Sequence, residues 1–316
     1  LLNKELHLFQ SHTNVGLTFS DHSIRMVRFK GNADDLSHLQ FWEEWLKPGI
    51  VENGRIKDEQ TFSDVLKTMV HALKVRHRKT FFAIPDAQLV LRQFDLPGIL
   101  SDPDLQNYFF IEIGNKIQLP FEDAVFDFHV LERSATGTKV LLFAAPETMV
   151  RKYRKILDAA GLDPVNAEFS ALGIDRWVQH FISGKPEDHR MYAQLEKETL
   201  NVAVFHGDTP LFIRQISLKD AENMQTEDSL LLNAATEVER MLNFYQYSLQ
   251  KGSFQVSEIQ LLGSPDTMNE FKTVLGEVVS VPVKLLQIDR ERVQCPDDLD
   301  ASFIPAIGLA MKGVTA

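Results

Sequence analysis

Val15, Leu17 and Phe19 alternate with Gly16 and Thr18, and after the polar turn Ser20-Asp21-His22-Ser23 a β-rich run continues to Phe29. This pattern predicts a strand–turn–strand over 15–32. Next, Gly54 turns between two short extended pieces. Phe62, Val65, Leu66, Met69 and Leu73 then fall at helical spacing behind Thr61 or Ser63 as the cap. "KTFFAIP" and "LVLRQFDLP" read as strands. Ser101, followed by acidic residues and a proline, opens a helix that carries Leu105, Phe109, Ile113 and Ile117 on one face and stops before Pro120. "DAVFDFHVLER" and "TKVLLFAAP" are strands joined at Gly137. Val150, Tyr153, Ile156 and Leu157 stripe a helix ended by Gly161.

A helix "FSALGIDRWVQHFISG" and a linker "GKPEDHR" precede the second half. Strands "MYAQL", "TLNVAVFHG" and "TPLFIRQISL" follow, then a long helix from about 229 to 250 with Leu232, Ala235, Val238, Leu242 and Tyr245 on one side. "EIQLLG" reads as a strand, "DTMNEFKTVLGEVV" as a helix, and "ASFIPAIGLAMKGV" as a short apolar helix docking on the body. One offset aligns the opening hairpin with "YAQLEKETLNVAVFHGD". Ser23 then meets Thr199, Met26 meets Val202, Phe29 meets Phe205, Gly31 meets Gly207 and Asn32 meets Asp208. Two related lobes, each opening on a strand–turn–strand, are the expectation.

Composition narrows the function. A net charge of −11 argues against nucleic acid as the main ligand, since phosphate binding needs a basic surface. The basic run Lys74–Lys79 is read as a cationic last turn of the helix before it. With a single cysteine, Cys295, no intrachain disulfide or Cys-rich metal site can form; its Pro- and Asp-rich loop has no nearby histidine to activate it. The ten histidines form no HxxxH or HExxH pattern, so no metal site is expected. No apolar run reaches the roughly 18–20 residues a membrane span needs. Asp127 and His129 share one side of a strand and are read as its solvent face. The Glu237/Glu239/Arg240 cluster is read as a solvated helix face.

Several stretches resemble the PilM family of type IV pilus assembly proteins and its relatives in competence systems. They are "VGLTFSDHSIRMVRF", "FFAIPDAQLVLRQFDLP", "IQLPFEDAVFDFHVLER", "VLLFAAPETMVRKYRKILDAAGLDPVNAEFSALGIDR" and "AIGLAMKG". FtsA-like and GspL-like proteins share the fold but match less well. The resemblance implies an α/β, two-lobed actin-like ATPase fold with a small α+β subdomain inserted in the first lobe. The lobes would span 12–186, with the insertion at about 79–162, and 187–316.

In that fold two hairpins face each other across a nucleotide cleft, with glycines at the turns for the phosphates and carboxylates for magnesium. Here Thr18 stands at the family's Asp position and Ser20 at its Gly; Gln194 and Glu196 replace the second pair. "SLKDAE" follows Ile216 where a glycine pair is expected, and the adenine-side Gly-Gly is reduced to Gly263-Ser264-Pro265. A carboxylate 4 Å from a phosphate costs about 4 kcal/mol at an effective dielectric near 20, almost three decades of affinity. Gly16, Thr18, Ser20, Asp21, Gln194, Glu196 and Gly263 are therefore expected to mark a disabled cleft, with no cofactor and no ATP hydrolysis: a pseudo-ATPase. An ATP-binding protein or slow ATPase of the same machinery is the alternative, and a filament-forming protein a third reading.

The resemblance further implies a cytoplasmic scaffold, peripheral to the inner face of the membrane through its partners. Those would be the N-terminal tail of a PilN-like membrane protein and other platform proteins of pilus assembly. The tail is expected in a groove between the first lobe and the inserted subdomain, near 82–94, bounded by Phe82 and Phe94.

Overall fold

The structure is a computed structural model that describes residues 13–31, 33–182, 188–218 and 227–315. The opening hairpin is β1 (Thr13–Phe19) and β2 (Ser23–Lys30), with Gly16 opposite Val27 and Thr18 opposite Arg25; Asn32, at its predicted end, lies outside the described residues. β3 (Gln40–Trp45) follows, then β4 (Val51–Glu52) and β5 (Arg55–Ile56), a two-stranded tab turning at Gly54. Helix α1 (Glu59–Ala72) begins before either predicted cap, because Asp58 accepts from the Thr61 N–H at 3.0 Å. The basic run is not its last turn. It lies in the connection beyond, where Lys74 and His77 take φ of 54° and 57° and Val75 is buried.

β6 (Lys79–Ala83), β7 (Val90–Pro97) and α2 (Asp102–Glu112) come next, with Ser101 and Asp104 forming a capping box on α2. This helix ends five residues short of Ile117. Gly114, at φ 86°, turns the chain back so that Ile117 is buried beside Ile113. β8 (Ala124–Ser134), β9 (Gly137–Pro146), α3 (Glu147–Ala159), β10 (Asp163–Glu168) and α4 (Ser170–Phe181) complete the first half. The first sheet runs β10-β6-β1-β2-β3, and β7-β9-β8 form a separate three-stranded sheet over which α2 packs. Of the stretch 79–162, β6 and β10's neighbour α3 thus belong to the first sheet and its core, and the separate unit lies between 90 and 146.

The second half carries β11 (His189–Glu196), β12 (Thr199–His206), β13 (Thr209–Ser217), α5 (Glu227–Asn243), β14 (Glu258–Gly263), α6 (Pro265–Val278), β15 (Val283–Leu285) and α7 (Ile304–Thr315). Most of the predicted linker (184–187) and residues 219–222 of "SLKDAE" lie outside the described residues. α5 continues into a π-helical turn, Phe244–Leu249, and buries Leu231, Ala234, Ala235, Val238 and Met241. Leu232, predicted on the apolar side, is 56% exposed.

The second sheet runs β13-β12-β11-β14-β15, the same strand plan as the first. The pairing obeys the offset read in the sequence: Gly16 opposite Val27 becomes Tyr192 opposite Ala203, and Thr18 opposite Arg25 becomes Gln194 opposite Asn201. Five layers result. α1 and α3 cover the outer face of the first sheet through Phe62, Leu66, Tyr153 and Ile156, and α5 and α6 cover the outer face of the second. Between the sheets lie α4 and α7, sharing one core with Val27 and Phe29 on one side and Tyr192, Ala203 and Phe205 on the other. Strands covered on both faces need no polar alternation, which is why β2 and β11 are almost continuously buried.

Candidate functional site

The two hairpin turns meet at the rim of the space between the sheets. Thr18, Ser20, Asp21, Gln194 and Glu196 are brought together there, with Arg25, Asp86, Ser170, Asn201 and Gln215. Gly16 and Gly263 are not. Gly16 faces α7, where a Cβ would come within 1.8 Å of the Ala306 carbonyl oxygen; Gly263 ends β14, where a Cβ would sit 2.4 Å from the Leu195 oxygen. Both glycines serve close backbone approach. Ser20 Oγ accepts within its own turn, from Ser23 N at 3.0 Å and His22 N at 3.2 Å, and its hydroxyl also favours the charged Glu196 carboxylate. Asp21 is likewise committed, since its carboxylate accepts from Asn53 N at 2.7 Å and Gly54 N at 2.9 Å and pins the β4–β5 tab to the hairpin.

Arg25 lies across the middle of the cleft. Its guanidinium bonds Glu196 from the second hairpin and pairs with Glu43, its cross-strand neighbour on β3, at 2.8 Å. Gln194 Nε2 donates to the same Glu196 at 2.8 Å. Arg25 and Gln194 are buried. Burial opposes charge on Arg25, yet Glu196 and Glu43 outweigh it and raise its pKa. Burial likewise opposes charge on Glu196, but Arg25, Gln194 and Ser20 hold its carboxyl below the usual glutamate range. At the rim, the Lys197 ammonium sits 4.4 Å over the Trp45 ring, a second contact between the lobes. The space left is about 40 Å³, enough for bound water, whereas small-molecule sites take about 300–1,000 Å³. In this closed arrangement the residues present do not fit a magnesium nucleotide. Among the described residues, no group of three His, Cys, Asp or Glu could hold a metal ion.

Arg25 escaped the sequence reading. The available signal was a cation inside a run that is otherwise buried, at the position opposite Thr18.

Asp86, in the turn after β6, accepts from the Ser170 hydroxyl and satisfies the start of α4. Burial pushes its carboxyl up to about 6, with the nearby Glu196 charge adding to the rise. The unfolded chain therefore releases this proton at lower pH than the folded protein does, and stability falls as pH rises from about 4 to about 6. Asp86→Asn is expected to remove that loss, worth about 3 kcal/mol. Urea unfolding at pH 4.5 and pH 7 checks it: the variant should gain on the wild type as pH rises.

A second concavity, about 440 Å³, opens between the three-stranded sheet, the first lobe and the β12–β13 turn. Five consecutive residues of β8, Val125–His129, run along it, and Ile84, Leu89, Phe143 and Phe169 give it an apolar floor. β8 is the outer strand of its sheet, and among the described residues its other edge pairs with no strand. Asp127 and His129 are exposed, as read, but they border this groove and do not simply face solvent. Of the stretch 82–94, Ile84 and Leu89 line it, while Phe82 is core and Phe94 packs on Phe109. Lys312 reaches the groove from α7 already bonded to Glu168, which Arg176 also holds at 3.0 Å.

Two sheets of one strand plan, each offering a hairpin to a shared cleft, define the two-lobed actin-like ATPase fold. Solved structures agree. The ethanolamine utilization protein EutJ from Carboxydothermus hydrogenoformans matches with a TM-score of 0.52 and 10% identity, over 95% of this chain and 89% of its own. The inorganic polyphosphate/ATP-glucomannokinase from Arthrobacter sp. strain KM matches at 0.52 and 10%, over 96% and 99%. A solved PilM-PilN type IV pilus biogenesis complex matches at 0.79 and 19%, over 95% and 98%. No curated protein sequence matches significantly. The family model of type IV pilus assembly protein PilM matches residues 16–226, and the chain belongs to that family. Among the described residues, no helix is long and apolar enough to cross a membrane.

Proposed function

We propose that this PilM-family chain is an adaptor of a type IV pilus or competence pseudopilus machine that works without hydrolysing ATP. It holds the N-terminal cytoplasmic tail of a PilN-like inner-membrane protein and so sits at the inner face of the membrane. One observation carries this reading: the cleft is closed by Arg25 and Glu196, whereas the groove beside β8 is open, apolar and bordered by a strand edge that pairs with no strand among the described residues. An extended segment entering there adds a strand to β8 and seats alternate side chains on the apolar floor. The similarity to a PilM-PilN complex supports the identity of that segment.

Isothermal titration with a synthetic tail peptide and, on the same sample, a melting curve with Mg-ATP test the reading. Saturable peptide binding and an unmoved melting temperature are expected. A rise with Mg-ATP abolished by EDTA would instead establish a nucleotide-binding protein, and a folded protein that ignores the peptide would remove the adaptor role. The groove's polarity adds a prediction. Lys312 is occupied by Glu168, while Asp127 and Asp208 line the groove. A tail with a lysine or arginine beside its apolar residues should bind several-fold more tightly than one with glutamate there, and Asp127→Asn with Asp208→Asn should erase the difference.

A further inference from the structure

We infer that Arg25 takes over the bridging work a bound nucleotide does between the lobes of this fold, and that the bridge fixes the width of the groove. The inference rests on the proposed tail-binding role for its functional consequence, but its structural half stands alone. Arg25 belongs to the first sheet and Glu196 to the second. Their contact, with Glu43 behind and Lys197 on Trp45 at the rim, is the ionic closure of the cleft. The two facing rows are equivalent in the repeat: Thr18, Arg25 and Glu43 lie side by side on β1, β2 and β3, and Gln194, Asn201 and Gln215 on β11, β12 and β13. A cation from one polar row therefore meets the turn of the other hairpin, in a space too small for a nucleotide.

β13 carries this closure to the groove. Its Gln215 lines the cleft and its Thr209 and Pro210 line the groove. Between these ends it lies against the 86–88 turn and β7. Thr209 and Gln215 lie about 20 Å apart along this strand, which pairs with β12 on both sides of an irregularity at Leu211. Opening the cleft by rotation about the shared α4–α7 layer must lift β13 from the 86–88 turn and withdraw Thr209 and Pro210 from the groove wall. In this chain the Arg25–Glu196 pair spans the closed cleft. Arg25 is thus a positioning residue for the groove, acting through β13 and touching no peptide.

The test uses spin labels at Lys67→Cys on α1 and Lys272→Cys on α6, in a Cys295→Ser background, with tail-peptide titration on the same variants. Glu196→Gln keeps size and hydrogen bonding and removes the charge; Arg25→Met removes the bridge. Both should lengthen and broaden the interlobe distance without nucleotide, and weaken peptide binding about tenfold at unchanged helix content. Should Arg25→Met fail to fold, Glu196→Gln decides. Wild-type distances and wild-type peptide affinity in the folded variants would overturn the inference, and lobes that open while affinity holds would overturn its coupling to the groove. If the wild type binds no peptide, the adaptor reading falls and the label distances alone judge the bridge.

Discussion

Arg25→Met should cost about 3–5 kcal/mol of folding stability at pH 7, because it strands Glu196 in a buried site without its counter-charge. Pair attraction does not set that size. Two ions removed from water gain little net stability over an apolar pair, but one ion left behind bears the whole desolvation cost. A double variant with Glu196→Leu should therefore recover most of the loss. Urea unfolding of both singles and the double closes the cycle. The pH dependence follows with a definite sign. In the wild type the folded-state pKa of Glu196 is depressed, so its stabilisation is full above the ordinary glutamate range and is lost as pH falls through the lowered value. In the closed form of Arg25→Met the same carboxyl, buried and unpaired, titrates above its ordinary value, so acid relieves the cost of closure. The gap between the two proteins should narrow from pH 7 towards pH 4. A gap that stays constant over that range would mean that packing, and not charge, dominates the site.

The hairpins and their repeat were legible because they rest on local pattern. A turn flanked by two β-rich runs occurs twice in one register, and the pairing follows it residue by residue. The outer strands were not. β3 is QFWEEW, β10 contains a proline and a bulge, and β15 has three residues, so each is defined by its neighbour more than by its own sequence. The cleft was half legible. Thr18, Ser20, Gln194 and Glu196 stand where the aligned hairpins put them, but Gly16 and Gly263 were read as ligand-facing when their glycines admit a helix and a neighbouring strand. A glycine in a strand carries both meanings, and only the partner across the gap decides. Arg25 and Glu43 become a pair only once β3 lies beside β2. The groove was least legible, because its walls come from β8, β10, the β12–β13 turn and α7, which are distant in sequence.

Gly308→Val should be the most damaging single change in the central layer, lowering stability by about 3 kcal/mol or more, beyond the usual range for overpacking. α4 and α7 cross on Gly173 and Gly308. A Cβ built on Gly308 would lie 1.9 Å from the Gly173 carbonyl oxygen, and one on Gly173 would lie 2.2 Å from that of Pro305. Backbone atoms cannot rotate aside as side chains do, so the two helices must separate. They carry Trp177, Val178, Ile307 and Ala310 of the core shared by both sheets, so separation opens that core on both sides. Gly276→Ala is the matched control. This glycine lies inside α6, is exposed and has no atom within 4 Å of its Cβ position, so the change should stabilise by about 1 kcal/mol through helix propensity alone. Thermal unfolding of the two variants beside the wild type reads both signs in one experiment. A Gly308→Val protein that melts with the wild type would mean that the α4–α7 layer yields to pressure, and a yielding layer could not serve as the axis about which the lobes close.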